Sequence, residues 1–275
     1  RKELDLFDQT VVRQFFMDEK PEYVFVAAAR VGGIHANNTL RAQFIYENLQ
    51  IQNNLIHFAY ESGVKKLLFL GSSCIYPWDC PQPIKEEYLL SGPLEKTNEP
   101  YALAKIAGIK MCENYFREYG CQFFSLMPTN TYGPHDNYDL ETSHVLPALV
   151  RKIHEAKVTN AKEVTVWGSG KPTREFMHVN DIADACVFIT GFDFAELYEQ
   201  GLTHLNVGTS YEISIEGLVR LLSETIGYQG KIKYDNSMPD GTPRKVMDVS
   251  RIHQLGWKHK IDLEDGLAMT YASFV

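Results

Sequence analysis

Three short apolar runs separated by long helical segments constrain this chain more than any other feature. Tyr23 to Ala29, Lys65 to Gly71 and Gln122 to Met127 each read as a strand, and unbroken apolarity is what burial on both faces demands. A short amphipathic helix over Thr10 to Glu19 precedes the first run. Longer helices over Thr39 to Glu61 and Tyr101 to Tyr119 follow the first and second runs, with Gly63 and Gly120 as their C-terminal stops. Strands alternating with helices form βαβ units, so the pattern predicts a doubly wound parallel α/β sheet. Ligands of such a sheet collect beyond the carboxyl ends of its strands.

The alternation loosens after about Gly133. Residues 1–134 are therefore expected to form the main sheet domain, with later segments returning to it, and residues 135–275 to form mainly a smaller α/β lobe. With 275 residues, 44% of them hydrophobic, the chain has enough apolar material for both cores. A formal net charge of -8 argues against a general nucleic-acid surface. No run approaches the roughly 18 apolar residues of a membrane span, and the N-terminus lacks a signal-peptide pattern, so a cytoplasmic protein is expected. Five cysteines without C-x-x-C spacing suit reduced thiols, and the scattered histidines give no metal-ligand cluster, so no metal is expected.

The strand ends carry the chemistry. Ser72, Ser73 and Cys74 follow the second apolar run, Pro128, Thr129 and Asn130 follow the third, and Gly32 and Gly33 follow the first. Tyr101 and Lys105 stand four residues apart on one face of a helix. If that helix neighbours the second strand, Ser72 and Tyr101 can share a carbonyl oxygen while the Lys105 ammonium favours the ionised phenol. That set suits hydride transfer to a ketone. Spacing alone also suits a solvated Tyr–Lys pair. No G-x-S-x-G elbow surrounds Ser72, which points to a hydrogen-bond donor rather than a nucleophile.

In the later half, a helix over Ser143 to His154 turns Val145, Leu146, Leu149 and Val150 inward, and periodicity leaves Lys152 as a solvated charge. Trp167 ends a strand, where either a core role or a wall for a nucleobase is open. Lys152 with Arg174 has the charge to neutralise a diphosphate. Asp181 is expected to cap the helix that follows His178.

Three longer motifs sharpen this picture: Gly71-Ser72-Ser73-Cys74-Ile75-Tyr76-Pro77, Asn98-Glu99-Pro100-Tyr101-Ala-x-Ala-Lys105, and Met127-Pro128-Thr129-Asn130-x-Tyr132-Gly133-Pro134-His135-Asp136-Asn137. With Trp167-Gly-Ser-Gly-x-Pro-x-Arg174, His178-Val-x-Asp181 and Pro239-Asp240-Gly-Thr-Pro-Arg-Lys245, they resemble the extended short-chain dehydrogenase/reductase family over essentially the whole chain. Within it the likeness is to the NADPH-dependent 3,5-epimerase-4-reductases that turn GDP-4-keto-6-deoxy-D-mannose into GDP-L-fucose. The resemblance implies a Rossmann-like fold and NADP(H) as cofactor. It also implies a GDP-sugar substrate and a homodimer paired through the two long helices.

Residue by residue, the resemblance implies Ser72, Tyr101 and Lys105 as the reductase set and Cys74 with His144 as the epimerisation acid/base pair. Cofactor contacts fall to Arg1, Leu70, Gly71, Ser72, Ser73, Lys105, Pro128, Thr129, Asn130, Thr131 and His144, and substrate contacts to Lys152, Trp167, Arg174 and Asp240. The family's first strand and glycine-rich phosphate loop have no counterpart in these residues. A natively shortened protein would bind cofactor weakly or act as a non-catalytic NADP sensor. A 4-epimerase of the same superfamily needs no Cys–His pair, and the Asp–Glu pair of a 4,6-dehydratase is missing after Ser72.

Overall fold

The computed structural model describes residues 3–238 and 240–275, without the side chain of His35. Helix α1 (Gln9–Glu19) starts on Asp8, whose carboxylate accepts from Thr10 and Val11 N–H, and leads to β1 (Tyr23–Val26). A short helix, α2 (Ile34–Thr39), precedes α3 (Arg41–Glu61) and β2 (Lys66–Leu70). Then come α4 (Glu99–Tyr119) and β3 (Phe123–Pro128). The parallel sheet runs β1-β2-β3 and is completed by β7 (Leu205–Val207). Its position beside β3 makes β7 a crossover from the far side of the chain.

Between β3 and β7 lie β4 (Asn130–Tyr132), α5 (Val145–Val158), β5 (Glu163–Trp167), β6 (Thr173–His178), α6 (Val179–Thr190) and α7 (Phe194–Glu199). After β7 come β8 (Glu212–Ser214), α8 (Ile215–Ile226), β9 (Lys231–Asp235), β10 (Arg244–Lys245), α9 (Ser250–Gln254) and α10 (Leu263–Phe274). A second sheet runs β10-β6-β4 in parallel, with β8 antiparallel on β6, and β5 pairs with β9. No helix among the described residues is long and apolar enough to cross a membrane.

Two apolar cores hold these layers. The first gathers Leu67, Phe69, Phe123, Phe124 and Leu126 from the main sheet and takes Ile182, Ile189, Leu205, Ile252 and Trp257 from the later half. The second joins Leu149, Ile153, Val166, Phe176, Leu218 and Leu267. Strand β6 straddles them: Phe176 enters the second core and Met177 the first, because successive side chains leave a strand on opposite faces.

Two expectations need correction. The first run was expected to be buried on both faces, yet Tyr23 and Phe25 are 51% and 47% exposed while Val26 is buried. The strand is half-buried because nothing among the described residues covers its outer face. The long helix expected over Thr39 to Glu61 is α3, and Leu40 (φ -108°, ψ 36°) separates it from the additional short helix α2. The cap of α6 is His178, whose side chain accepts from Asn180 N–H. Asp181 instead accepts from Lys260 and Ile261 N–H at 3.0 and 3.1 Å, which pins the strand-like segment before α10.

Candidate active site

The site opens where β2, β3 and the start of α4 meet. Two glycines set how closely these elements approach. An added Cβ on Gly108 of α4 would lie 2.4 Å from the Phe69 ring, and one on Gly71 would lie 2.4 Å from Met127 Sδ. At the head of α4, the Glu95 carboxylate accepts from Thr97 and Asn98 N–H, and Pro100 occupies the first turn, where its missing N–H costs nothing. Tyr101 therefore leaves the helix at a fixed angle toward the end of β2.

Ser72, Tyr101 and Lys105 are brought together. Ser72 Oγ accepts from Cys74 N–H at 3.2 Å, which leaves its own O–H free to donate, and it hydrogen-bonds the Tyr101 hydroxyl. Burial and the neighbouring Cys74 push the Tyr101 pKa well up, against the Ser72 hydrogen bond, so the phenol is a proton donor at neutral pH. Lys105 is 3% exposed, and its ammonium sits 5.9 Å from the Tyr101 ring centroid and 4.7 Å from that of Phe69. It donates to Leu70 O at 2.7 Å, and burial lowers its pKa to about 8. Most of it remains charged at pH 7.

Cys74 faces the same opening from the short 3-10 turn Ser73–Ile75 and accepts from Lys245 Nζ at 3.3 Å. His144, at the head of α5, keeps part of its surface open to solvent. The protein around it displaces bulk water from the ring and lowers its pKa. Asp136 opposes that shift and Lys245 reinforces it. Lys245 thus neighbours both Cys74 and His144. Sequence reasoning did not single it out, because 171 residues separate Cys74 from its partner and no spacing pattern reaches that far.

The remaining cofactor positions line the strand ends. Leu70, Gly71 and Ser73 continue from β2, and Pro128 ends β3. Thr129 Oγ1 and Asn130 Nδ2 donate to Glu175 O at 3.2 and 2.8 Å, and Thr131 Oγ1 donates to Thr129 O. These hydrogen bonds tie the end of β3 to β6. Arg1 lies outside the described residues.

The four substrate positions fall into two groups. Lys152 Nζ stands 4.6 Å over the Trp167 ring, beside a groove lined by Glu155, Thr159, Glu163 and Thr165. Trp167 is 51% exposed, so it is a wall of that groove rather than a core residue. Arg174 lies with Asp240 and Cys74; burial lowers its pKa, and both neighbours raise it. Asp240 connects the groups, because its carboxylate accepts from Ser169 N–H and Oγ in the turn after Trp167 while its carbonyl accepts from Arg174 at 3.4 Å.

Beneath Arg174, the carboxylate of Glu175 is fully buried. Its Oε1 accepts from Thr209 and Ser210 N–H and its Oε2 from Met247 N–H at 2.9 Å. Ser210 has φ +59°, so that turn is left-handed and held by the carboxylate. Among the described residues no group of His, Cys, Asp and Glu is placed to hold a metal ion.

Comparison with known proteins bears on this constellation. The model of the NAD dependent epimerase/dehydratase family matches residues 1–208. A putative GDP-L-fucose synthase 2 of Arabidopsis thaliana is 59% identical over 98% of this chain and 80% of its own length. The GDP-L-fucose synthase of Escherichia coli strain K12 is 53% identical over 100% of this chain and 87% of its own. Among solved structures, a GDP-L-fucose synthetase from Naegleria fowleri bound to NADP superposes with a TM-score of 0.89 at 28% identity, covering 99% of this chain and 83% of that one. Similarity of this extent, over both cores and every strand end described above, makes the chain a member of the NAD dependent epimerase/dehydratase family, the extended short-chain dehydrogenase/reductases.

Proposed function

We propose that this chain converts GDP-4-keto-6-deoxy-D-mannose to GDP-L-fucose by 3,5-epimerisation followed by NADPH-dependent reduction at C4. The observation that carries this reading is the Ser72–Tyr101–Lys105 set with Cys74 beside it and Lys245 neighbouring both Cys74 and His144. Relatives named GDP-L-fucose synthase at 53% and 59% identity support the choice of sugar.

The polar set suits the nicotinamide–ribose half of NADP(H): the Lys105 ammonium and the Ser72 and Ser73 hydroxyls lie at the end of β2, and Thr129, Asn130 and Thr131 lie where β3 passes into β4. When bound, this cofactor supplies the hydride for C4. Ser72 and Tyr101 donate to the C4 carbonyl oxygen, which acidifies the hydrogens on C3 and C5 because the charge left behind is held as an enolate. Cys74 takes each proton: an S–H bond forms, the C–H bond breaks, and its electron pair moves to the C4 oxygen. His144 returns a proton to the opposite face of the carbon, which inverts it, and between the two centres Cys74 releases its proton to solvent while His144 takes one up. In the reduction, Tyr101 gives its proton to the C4 oxygen while the Lys105 charge stabilises the phenolate that remains.

Arg174 neutralises the diphosphate, and Trp167 with Lys152 lines the groove for the nucleoside. The main sheet domain holds the cofactor and the second core carries the substrate groove. A homodimer pairing through α3 and α4 accounts for Tyr46, Leu103 and Tyr119, large side chains exposed on those helices. Sedimentation showing only monomer at micromolar concentration would remove that assignment. The protein acts in the cytoplasm, where its nucleotide cofactor and GDP-sugar are available.

The test is direct. Mixing the protein with GDP-4-keto-6-deoxymannose and NADPH should consume the reduced nicotinamide absorbance and yield GDP-L-fucose carrying solvent deuterium at C3 and C5. Cys74→Ser should stop deuterium entry, because a serine hydroxyl ionises too weakly to act as the base at neutral pH. Normal deuterium entry in that variant would return Cys74 to a packing role.

A further inference from the structure

One charged side chain at the opening has no task in the mechanism above. Lys245 sits on β10, in register with Arg174 on β6, and its ammonium donates to Cys74 Sγ at 3.3 Å. Arg244 beside it is neutralised by Glu212 at 2.8 Å, whereas among the described residues no carboxylate pairs with Lys245. The backbone on its C-terminal side is clamped. Val246 N–H donates to Gln82 Oε1 at 3.0 Å and Val246 O accepts from Ile84 N–H at 2.8 Å. Asp248 N–H donates to Ile84 O, and Met247 N–H to Glu175. The backbone that carries Lys245 is therefore fixed beside Cys74, and its stem brings the ammonium to the sulfur.

We propose that Lys245 is a positioning residue for epimerisation, its ammonium holding and stabilising the thiolate form of Cys74 by ion pairing. This rests on the reading of Cys74 and His144 as the acid/base pair. The groups that face Cys74 agree with it: Lys245 and Arg174 are cations and Tyr101 is a neutral donor. The charge thus favours the form of Cys74 that proton removal at C3 and C5 requires.

The test reads the thiol itself. The free protein is treated with iodoacetamide across a pH series, and the Cys74 peptide is quantified by mass spectrometry, with Cys74→Ser fixing its identity. Lys245→Met should slow alkylation of Cys74 about tenfold at pH 7 and move the midpoint of its pH profile up by about one unit. Lys245→Arg should restore both. Deuterium entry at C3 and C5 should fall in parallel in Lys245→Met, by more than the change in KM for the GDP-sugar. Alkylation of buried Cys112 reports unfolding, and in that event Lys245→Gln is read in place of Lys245→Met.

An unchanged alkylation rate and midpoint in the neutral variant overturns the proposal, and a raised KM alone would make Lys245 a diphosphate ligand instead. If alkylation shifts as expected but Cys74→Ser still exchanges deuterium, the ion pair stands and the assignment of Cys74 as base falls.

Discussion

Replacing Lys105 by methionine should make the protein more stable and less active, and the pH dependence of the gain is the informative part. The ammonium is buried and its pKa falls from 10.5 to about 8. At about 1.4 kcal/mol per pH unit, that corresponds to about 3 kcal/mol of cost borne by the folded state wherever the group is charged. The sign follows from proton counting. Below pH 8 both folded and unfolded chains carry the proton, and the full cost is present. Between pH 8 and 10.5 the folded chain has released it and the unfolded chain has not, so stability rises with pH and the cost fades. A methionine of similar shape never carries the charge. Against its gain stands the lost hydrogen bond to Leu70 O, worth about 1.5–3 kcal/mol for a charged donor. At pH 7 the variant should be up to about 1.5 kcal/mol more stable by urea unfolding followed through tryptophan fluorescence. By pH 10 that advantage should have shrunk by about 2–3 kcal/mol and become a deficit. Other groups that titrate in this range cancel in the difference between the two proteins. Parallel stability curves from pH 7 to 10 would refute the claim that burial dominates at Lys105.

Tyr101→Phe should cut NADPH oxidation by about 100-fold or more with GDP-sugar binding retained, measured by stopped-flow absorbance and by calorimetry; wild-type turnover would remove the proton-donor role. In the unaltered enzyme, reduction should decline as pH rises past about 8, where Lys105 loses its charge, and a flat alkaline profile would detach that charge from catalysis. Arg174→Ala should raise KM for the GDP-sugar more than it lowers kcat, since a remote phosphate contact binds ground and transition states alike; an unchanged KM would place Arg174 in the fold instead. Gly108→Ala should cost about 1–2 kcal/mol, because overpacking against Phe69 outweighs the better helix propensity of alanine, and a gain in stability would show that the glycine does not set the spacing of α4 and β2.

Much of the fold was legible because burial on both faces leaves an unmistakable mark: Leu67, Leu68 and Phe69 on β2 and Phe123 to Met127 on β3 are runs that only an interior strand tolerates. The proximity of Ser72, Tyr101 and Lys105 was legible for a related reason, since Tyr101 and Lys105 are linked by helical spacing and Ser72 follows a strand end. What escaped depends on contacts between distant segments. The half-exposure of Tyr23 and Phe25 reflects what lies beside β1, which its own residues do not encode. Asp181 looked like a cap from its place after His178, but its carboxylate is taken by backbone some 80 residues later. Lys245 and Glu175 were invisible as site residues for the same reason. Each acts on segments with which it shares no local pattern.

The buried carboxylate of Glu175 has a consequence for which substitutions the site tolerates. All three of the backbone groups it meets are donors, two on one oxygen and one on the other. Glutamine, though matched in shape, would turn an NH2 group toward one of those N–H bonds, and aspartate is a methylene shorter. Only an acceptor at both tips, at this reach, serves both turns at once. Arg174, one residue earlier, leaves β6 on the opposite face and has no part in that pattern. Adjacent letters in the sequence are thus under unrelated constraints: position 174 sets its charge beside Cys74 and Asp240, whereas position 175 answers only to the geometry of the chain.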